Sequence, residues 1–204
     1  IPPGPTETLQ IGGGGFTLPA YLDATRPGST STVLEIDPTL LDVARDELGF
    51  DERSTTTIIG DARLALDDLP AASFDVIVGD AFASTSVPWH LTTVETIRVV
   101  RRVMRPDGVY VMNVIDGGSN RYATAQAATL AAVFEHVSVI LPSDGVGDER
   151  VNQILIASDA PIVEPTVDPG DGTLLSPADV EEYVRDARTL RDDFAPVDQL
   201  LMRR

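Results

Sequence analysis

Four glycines stand in a row directly after a short apolar run, at Gly12, Gly13, Gly14 and Gly15. A glycine turn between a strand and a helix lets the backbone come close to a ligand, because no Cβ atoms intervene. The free N–H groups at the start of the following helix can then hydrogen-bond to that ligand. The pattern predicts that Gly12, Gly13 and Gly14 cradle an adenosine-type nucleotide. A tight turn that binds no ligand is the alternative.

Two acidic residues follow the glycines at the ends of predicted strands. Glu35 comes about 20 residues after the glycines, where such folds place an acid that accepts hydrogen bonds from both ribose hydroxyls. Because Asp37 is better placed to cap the next helix, we expect Glu35 to have no structural partner. Asp61 either accepts a hydrogen bond from an adenine amino group or simply caps a helix.

Asp80 ends the fourth predicted strand, beside the point where the strand order of a doubly wound sheet reverses. Open α/β sheets bind ligands in that crevice, and a carboxylate there can take a proton from an attacking amine. A solvated loop acid is the alternative. His90, next to Trp89, is more typical of a packing or hydrogen-bonding residue. Since neither His90 nor His136 has a neighbour at metal-ligand spacing, the sequence predicts no metal site.

These residues need a sheet to bring them together, and the chain alternates apolar runs with helical stretches, which is typical of a parallel sheet covered on both faces. The predicted strands are 8–11, 32–36, 56–59, 74–78 and 109–114, and the predicted helices are 18–24, 38–48, 61–69, 92–104 and 123–134. Strands 137–141 and 152–157 follow without a helix between them, so we expect them to pair antiparallel. The sequence therefore predicts an α/β, doubly wound, Rossmann-like sheet of the methyltransferase type, mostly parallel with an antiparallel edge strand.

The chain divides into two predicted parts. Residues 1–160 form the nucleoside-binding, Rossmann-like domain. The stretch 161–173 is rich in Pro, Gly and Asp, which indicates a linker. Ser176 and Pro177 then predict the cap and the first position of a last helix. Residues 161–204 are thus a linker, a C-terminal helix and a tail that packs on the same domain.

Composition excludes several classes of function. The net charge of -17 argues against nucleic acids and against direct contact with anionic membranes. The absence of cysteine excludes disulfides and thiolate metal sites. The sequence has no apolar run of membrane-spanning length and no signal peptide. We expect a cytoplasmic protein or the soluble part of a membrane-anchored one, and the first residues are compatible with a longer chain.

Five segments together resemble the spermidine synthase family, especially its bacterial spermidine synthase-like members. They are Gln10–Gly15, Leu34–Pro38, Gly60–Ala62, Phe74–Asp80 and Arg191–Asp198. The last one resembles the family's terminal Asp-Asp-aromatic-x-Pro-x-Asp stretch and is the most specific match.

The resemblance implies that Gly12 to Gly14 hold the ligand, that Glu35 binds ribose and that Asp61 contacts adenine. It also implies that Asp80 deprotonates an amine acceptor. The implied reaction is aminopropyl transfer from decarboxylated S-adenosylmethionine to a small-molecule amine or polyamine, without a metal. A homodimer is compatible with this resemblance.

Two positions depart from the family. Gly15 replaces an Asp that holds the aminopropyl ammonium of the donor, and Ala83 replaces an Asp that helps to bind the diamine. Each missing carboxylate removes a charge-assisted contact worth about 1.5–3 kcal/mol. The family's N-terminal β-hairpin domain is also absent from this sequence. Two alternatives therefore stay open: a methyltransferase that uses S-adenosylmethionine, and a catalytically inactive nucleoside-binding or scaffold module of a longer protein.

Overall fold

A single twisted sheet organises the molecule. The structure is a computed structural model that describes residues 3–81, 87–163 and 172–202. Its strands in these ranges are β1 (Glu7–Ile11), β2 (Thr30–Glu35), β3 (Thr55–Ile59), β4 (Phe74–Gly79), β5 (Met104–Asp116), β6 (His136–Pro142), β7 (Val151–Ser158) and β8 (Gly172–Leu174). Their order across the sheet is β3-β2-β1-β4-β5-β7-β6-β8. Neighbours from β3 to β5 are parallel, whereas β7 is antiparallel to both β5 and β6. The predicted fold class is confirmed.

Helices cover both faces of the sheet, but unequally. In the described ranges they are α1 (Thr17–Thr25), α2 (Pro38–Leu48), α3 (Ala62–Asp68), α4 (Val94–Val103), α5 (Arg121–Ala131), α6 (Pro177–Val184) and α7 (Val197–Leu201). Val33 and Leu34 are successive strand residues and so point to opposite faces. Val33 packs in a small cluster with α2 residues, whereas Leu34 belongs to the large cluster that contains α3, α4 and α5 residues. None of these helices is both long and apolar enough to cross a membrane.

Helix α2 begins as the sequence predicts. The Asp37 carboxylate accepts a hydrogen bond from the backbone N–H of Thr39 at 2.9 Å, and Pro38 occupies the first turn. The hydroxyl and the N–H of Thr39 hold the pKa of Asp37 below its ordinary value. Gly49 ends the helix with a left-handed φ of 68°, a conformation that glycine adopts without a Cβ penalty. The predicted cap at Asp37 is confirmed.

Several element boundaries differ from the prediction. Strand β5 begins at Met104 and not at residue 109, because Met104 already pairs with Phe74 of β4 before the register shifts between Phe74 and Val76. Thr93 caps α4, so this helix starts at Val94. The end of the predicted linker, together with Leu174, forms β8, which pairs antiparallel with β6.

The C-terminal segment packs against α5 and the sheet. Four of its residues are buried in the same large cluster as the sheet: Val180, Leu190, Val197 and Leu201. A closed ring of hydrogen bonds also joins α6 to β7. Asn120 Nδ2 donates to Tyr183 Oη at 3.1 Å, Tyr183 Oη donates to Gln153 Oε1 at 2.6 Å, and Gln153 Nε2 donates to Asn120 Oδ1 at 2.6 Å. Burial raises the pKa of Tyr183 to about 12.

Candidate functional site

The glycine turn begins where β1 meets the end of β4. A Cβ atom added at Gly12 would lie 2.6 Å from the carbonyl oxygen of Asp80, and Gly12 has a φ of +99°. The backbone N–H of Asp80 donates to the carbonyl of Ile11 at 2.9 Å. The close approach of the backbone after β4 therefore already requires a glycine at position 12. The same packing brings the glycine turn directly beside Asp80.

The rest of the turn has one packed side and one open side. A Cβ atom at Gly13 would lie 2.9 Å from the ring of Phe16, which is fully buried. A Cβ atom at Gly14 would meet no atom of the described residues within 4 Å. The turn thus leaves a face at Gly14 on which a ligand can approach the backbone.

Glu35 points into this turn and not into solvent. Its Oε2 accepts a hydrogen bond from the backbone N–H of Gly13 at 2.8 Å, and its Oε1 accepts from the N–H of Asp37 at 2.9 Å. The expectation that Glu35 has no structural partner is wrong, because its carboxylate joins the glycine turn to the end of β2. An ionised carboxylate offers about four acceptor positions, so both oxygens retain capacity for further donors. The residue is 5% exposed.

Asp61 has both a structural and a site-facing contact. Its Oδ1 accepts a hydrogen bond from the backbone N–H of Arg63 at 2.8 Å, which makes Asp61 the cap of α3. Its Oδ2 lies 3.2 Å from Nε2 of His90, in the short 3₁₀ turn Trp89–Leu91. The His90 ring thus contacts one of the candidate ligand residues.

Asp80 follows the end of β4 and is exposed. Its Oδ1 accepts a hydrogen bond from Asn113 Nδ2 at 2.9 Å. This bond fixes the orientation of the Asn113 amide, whose Oδ1 is buried without a partner among the described residues. Because Asp80 is held by the neighbouring strand while its carboxylate remains accessible, it can accept a proton from an incoming group.

Beneath Asp80 the crevice between β1, β4 and β5 is narrow. A cavity of about 20 Å³ lies here, lined in part by Ile11, Gly79 and Tyr122, and it has room for about one water molecule. Burial raises the pKa of Tyr122 and of Tyr110, which also lines the cavity, so both phenols keep their protons at neutral pH. These side chains form a closed floor under the carboxyl ends of the strands.

A large cavity among the described residues lies elsewhere. It measures about 530 Å³ and is formed between α5, α6 and α7, with Arg121, Tyr183 and Phe194 in its walls. Its lining includes no glycine of the turn and none of the acids Glu35, Asp61 and Asp80. A cavity of this volume is typical of a ligand site. We favour the glycine turn, because backbone donors and carboxylates converge there.

The two positions that depart from the spermidine synthase pattern are placed differently. A Cβ atom at Gly15 would lie 3.4 Å from Thr17 Oγ1 and 3.5 Å from Leu48 Cδ1, which are ordinary contacts. The backbone at Gly15 therefore leaves room for a side chain. Ala83 lies outside the described residues.

Sequence reasoning missed two polar residues of the site. Asn113 interrupts an apolar strand next to the reversal of strand order, and that interruption is a usable signal. Asp116 is 3% exposed and its Oδ2 accepts from the N–H groups of Tyr122 at 2.8 Å and Ala123 at 2.9 Å, which caps the start of α5. The sequence signal for Asp116 is an acidic residue at the end of a strand, shortly before a helix.

The sequence matches the methyltransferase domain family over residues 9–112, about half of the chain. A polyamine aminopropyltransferase from Vibrio vulnificus is 30% identical over 135 residues, which cover 65% of this chain and 44% of that protein. An eEF1A lysine and N-terminal methyltransferase from Danio rerio is 26% identical over 166 residues, which cover 74% of this chain and 23% of that protein. The chain spans about half the length of three of the curated aminopropyltransferases that it matches.

Among solved structures, a probable spermidine synthase from Corynebacterium glutamicum ATCC 13032 superposes with a TM-score of 0.84. It is 28% identical in sequence, and the alignment covers 92% of this chain and 72% of that chain. The chain therefore belongs to the methyltransferase domain family, and its resemblance to the spermidine synthase family is confirmed.

Proposed function

We propose that this chain is a spermidine synthase-like transferase that moves an aminopropyl group from decarboxylated S-adenosylmethionine to a polyamine. The observation that carries the proposal is the packing of the Asp80 backbone on Gly12. It sets an accessible carboxylate beside the glycine turn, so a nucleoside donor and an amine acceptor would meet at one edge of the sheet. The similarity to polyamine aminopropyltransferases supports the same reaction.

The nucleoside is proposed to bind along the ends of β1, β2 and β3. Gly12, Gly13 and Gly14 would approach it with their backbone, and Gly14 has an open side. Glu35 would accept hydrogen bonds from the ribose hydroxyls with the acceptor capacity that Gly13 and Asp37 leave free. Asp61 would accept from the adenine amino group. These residues fit the adenosine part of the donor, which offers ribose hydroxyls and an amino group as hydrogen-bond donors.

Asp80 would act as the general base. The amine nitrogen attacks the carbon that joins the aminopropyl group to sulfur, and the C–S bond breaks with its electrons returning to sulfur. The products are the extended polyamine and 5′-methylthioadenosine, and Asp80 accepts the proton that the attacking nitrogen loses. Proton transfer of this kind contributes about 10²–10⁴-fold to a rate. The net charge of -17 also raises the local concentration of a polycationic acceptor.

The test is product formation by the purified protein. We expect 5′-methylthioadenosine to form when the protein is incubated with putrescine and decarboxylated S-adenosylmethionine. Liquid chromatography measures this product. A spermidine synthase assayed in parallel verifies the substrates. If that control forms product and this protein forms none, the aminopropyltransferase proposal fails.

The second candidate is a methyltransferase that uses S-adenosylmethionine. The match to the methyltransferase domain family and the glycine at position 15 favour it. An Asp at that position would hold the donor ammonium of decarboxylated S-adenosylmethionine, and Gly15 removes that preference. Calorimetry separates the two functions: a methyltransferase binds S-adenosylmethionine or its demethylated product more tightly than the decarboxylated donor, and an aminopropyltransferase shows the reverse order.

A further inference from the structure

The C-terminal segment reaches the first turn of α4 and is bonded to it. The backbone N–H of Val94 donates to the carbonyl of Leu190 at 2.8 Å. The N–H of Asp192 donates to Glu95 Oε2 at 3.1 Å, and Thr93 Oγ1 donates to Asp192 Oδ1 at 2.6 Å. These three bonds fix the Asp192 carboxylate at the N-terminus of α4.

Arg63 connects this carboxylate to the candidate site. Its Nη2 donates to Asp192 Oδ2 at 3.0 Å, and its Nη1 lies 3.5 Å from Asp192 Oδ1, so the two groups meet as a fork. Its Nη1 also donates to the carbonyl of His90 at 3.1 Å and to the hydroxyl of Thr96. The side chain of Arg63, which lies on α3, is thus held by three other parts of the molecule: the turn at His90, α4 and the C-terminal segment.

The chain of contacts ends at Asp61. Arg63 fixes the backbone of His90, and the ring of His90 lies against Asp61 Oδ2 at 3.2 Å. Arg63 also donates its own backbone N–H to Asp61 Oδ1 at 2.8 Å. Oδ2 of Asp61 is thus contacted by His90, whose backbone Asp192 holds through Arg63, and Oδ1 is bound by the backbone N–H of Arg63 itself.

We propose that Asp192 is a positioning residue for adenine recognition, acting through Arg63 and His90 on the carboxylate of Asp61. The inference rests on the proposed function, in which Asp61 accepts a hydrogen bond from the adenine amino group. It assigns a specific role to the C-terminal segment: this segment sets the orientation of the carboxylate that distinguishes adenine from bases without an amino group.

A merely structural role of Asp192 would affect all ligands alike. The informative quantity is therefore the ratio of the dissociation constants of two ligands that differ at one group. In 5′-methylthioadenosine the purine carries the amino group, and in 5′-methylthioinosine an oxygen replaces it. Loss of orientation at Asp61 weakens the first ligand and leaves the second unchanged.

The experiment is calorimetric titration of the full chain with both ligands, for the native protein and for the Asp192→Asn, Arg63→Lys and Asp193→Asn variants. Asp193 is an exposed neighbour without a hydrogen bond or ion pair among the described residues, so its variant is the matched charge control. Urea unfolding of each variant shows whether it is folded. We expect Asp192→Asn to weaken 5′-methylthioadenosine binding about fivefold, as for one well-formed but half-exposed ion pair.

The outcomes separate the two proposals. A lower preference for 5′-methylthioadenosine in Asp192→Asn and Arg63→Lys, with an unchanged preference in Asp193→Asn, supports the positioning role. A native protein that prefers the adenine ligand and an Asp192→Asn variant that keeps this preference would overturn the positioning role alone. A native protein that binds both ligands equally, or neither, would overturn the proposed role of Asp61 and the positioning role with it. If Asp192→Asn does not fold, Arg63→Lys decides on the same criterion.

Discussion

The two ends of the candidate site are built in different ways. At the nucleoside end, Glu35 is buried and hydrogen-bonded to the glycine turn, and Asp61 is held on both oxygens. At the acceptor end, Asp80 is exposed and is held by the Asn113 side chain. The nucleoside end depends on the backbone geometry of several residues, whereas the acceptor end depends on the single carboxylate of Asp80. Nucleoside binding and group transfer are therefore expected to be separable by mutation.

The largest effect is expected for Asp80→Asn. The amide preserves the shape and a hydrogen bond to Asn113 but cannot act as a base, so kcat should fall about 10²–10⁴-fold. Because the nucleoside end is untouched, the dissociation constant for 5′-methylthioadenosine should stay the same. Steady-state kinetics and calorimetry check the two statements, and full turnover by this variant would remove Asp80 from the mechanism.

Glu35→Gln tests the nucleoside end. The amide keeps one acceptor oxygen and turns the other into a donor, so nucleoside affinity should fall about 10–100-fold, as for the loss of one charge-assisted hydrogen bond. Asp37→Asn is the matched control, because Asn caps helices as well as Asp does and the change in charge is the same. Calorimetry measures both variants. If Glu35→Gln binds the nucleoside as tightly as Asp37→Asn does, the proposed contact of Glu35 with the ribose is contradicted.

Gly15→Asp is expected to change the relative affinities of the two donors. The position has ordinary van der Waals room for a side chain. A carboxylate there should attract the ammonium of decarboxylated S-adenosylmethionine and raise its affinity about tenfold or more, while it repels the carboxylate of S-adenosylmethionine. Gly15→Asn supplies the same shape without charge. If both variants bind the two donors alike, the donor's amino group lies elsewhere.

Tyr183→Phe is expected to change stability and neither end of the site. It leaves Gln153 Oε1, in a fully buried side chain, without its donor, which should lower the free energy of unfolding by about 1–3 kcal/mol. Burial raises the pKa of Tyr183 to about 12, against about 10 for an unfolded tyrosine. Below pH 10 both states carry the proton; above it the unfolded state loses the proton first, so stability falls as the pH rises towards 12. Urea unfolding at several pH values should show a shallower fall in Tyr183→Phe.

The elements of the fold were predictable because apolar runs and caps are local signals. Asp37 and Gly49 mark the two ends of α2 within the sequence itself. Strand β8 was not predictable, since three residues in a stretch rich in Pro, Gly and Asp carry no period, and their pairing with β6 forms only in the folded chain. The early start of β5 likewise depends on a register shift opposite β4.

The sequence predicts those residues of the candidate site that lie at the ends of predicted strands. The carboxyl ends of parallel strands meet at one edge, so acids that follow strands, such as Glu35 and Asp80, could be grouped from the sequence. The partner of Arg63 could not, because Asp192 lies 129 residues further along the chain. The expectation that Glu35 has no structural partner was also wrong. Assigning the cap of α2 to Asp37 does not show which backbone N–H groups face the carboxylate of Glu35.

Strand β1 precedes the other described strands in the sequence, yet it lies in the interior of the sheet, between β2 and β4. Its first residue, Glu7, donates its backbone N–H to Asp75, which is 68 residues further along the chain. During synthesis β1 can therefore pair with β2 first, and the glycine turn gains its second neighbouring strand only after β4 has been made. A ligand that binds at this turn is expected to stabilise a chain that already contains β4 more than a shorter nascent chain, and pairing across so long a sequence separation is expected to slow folding.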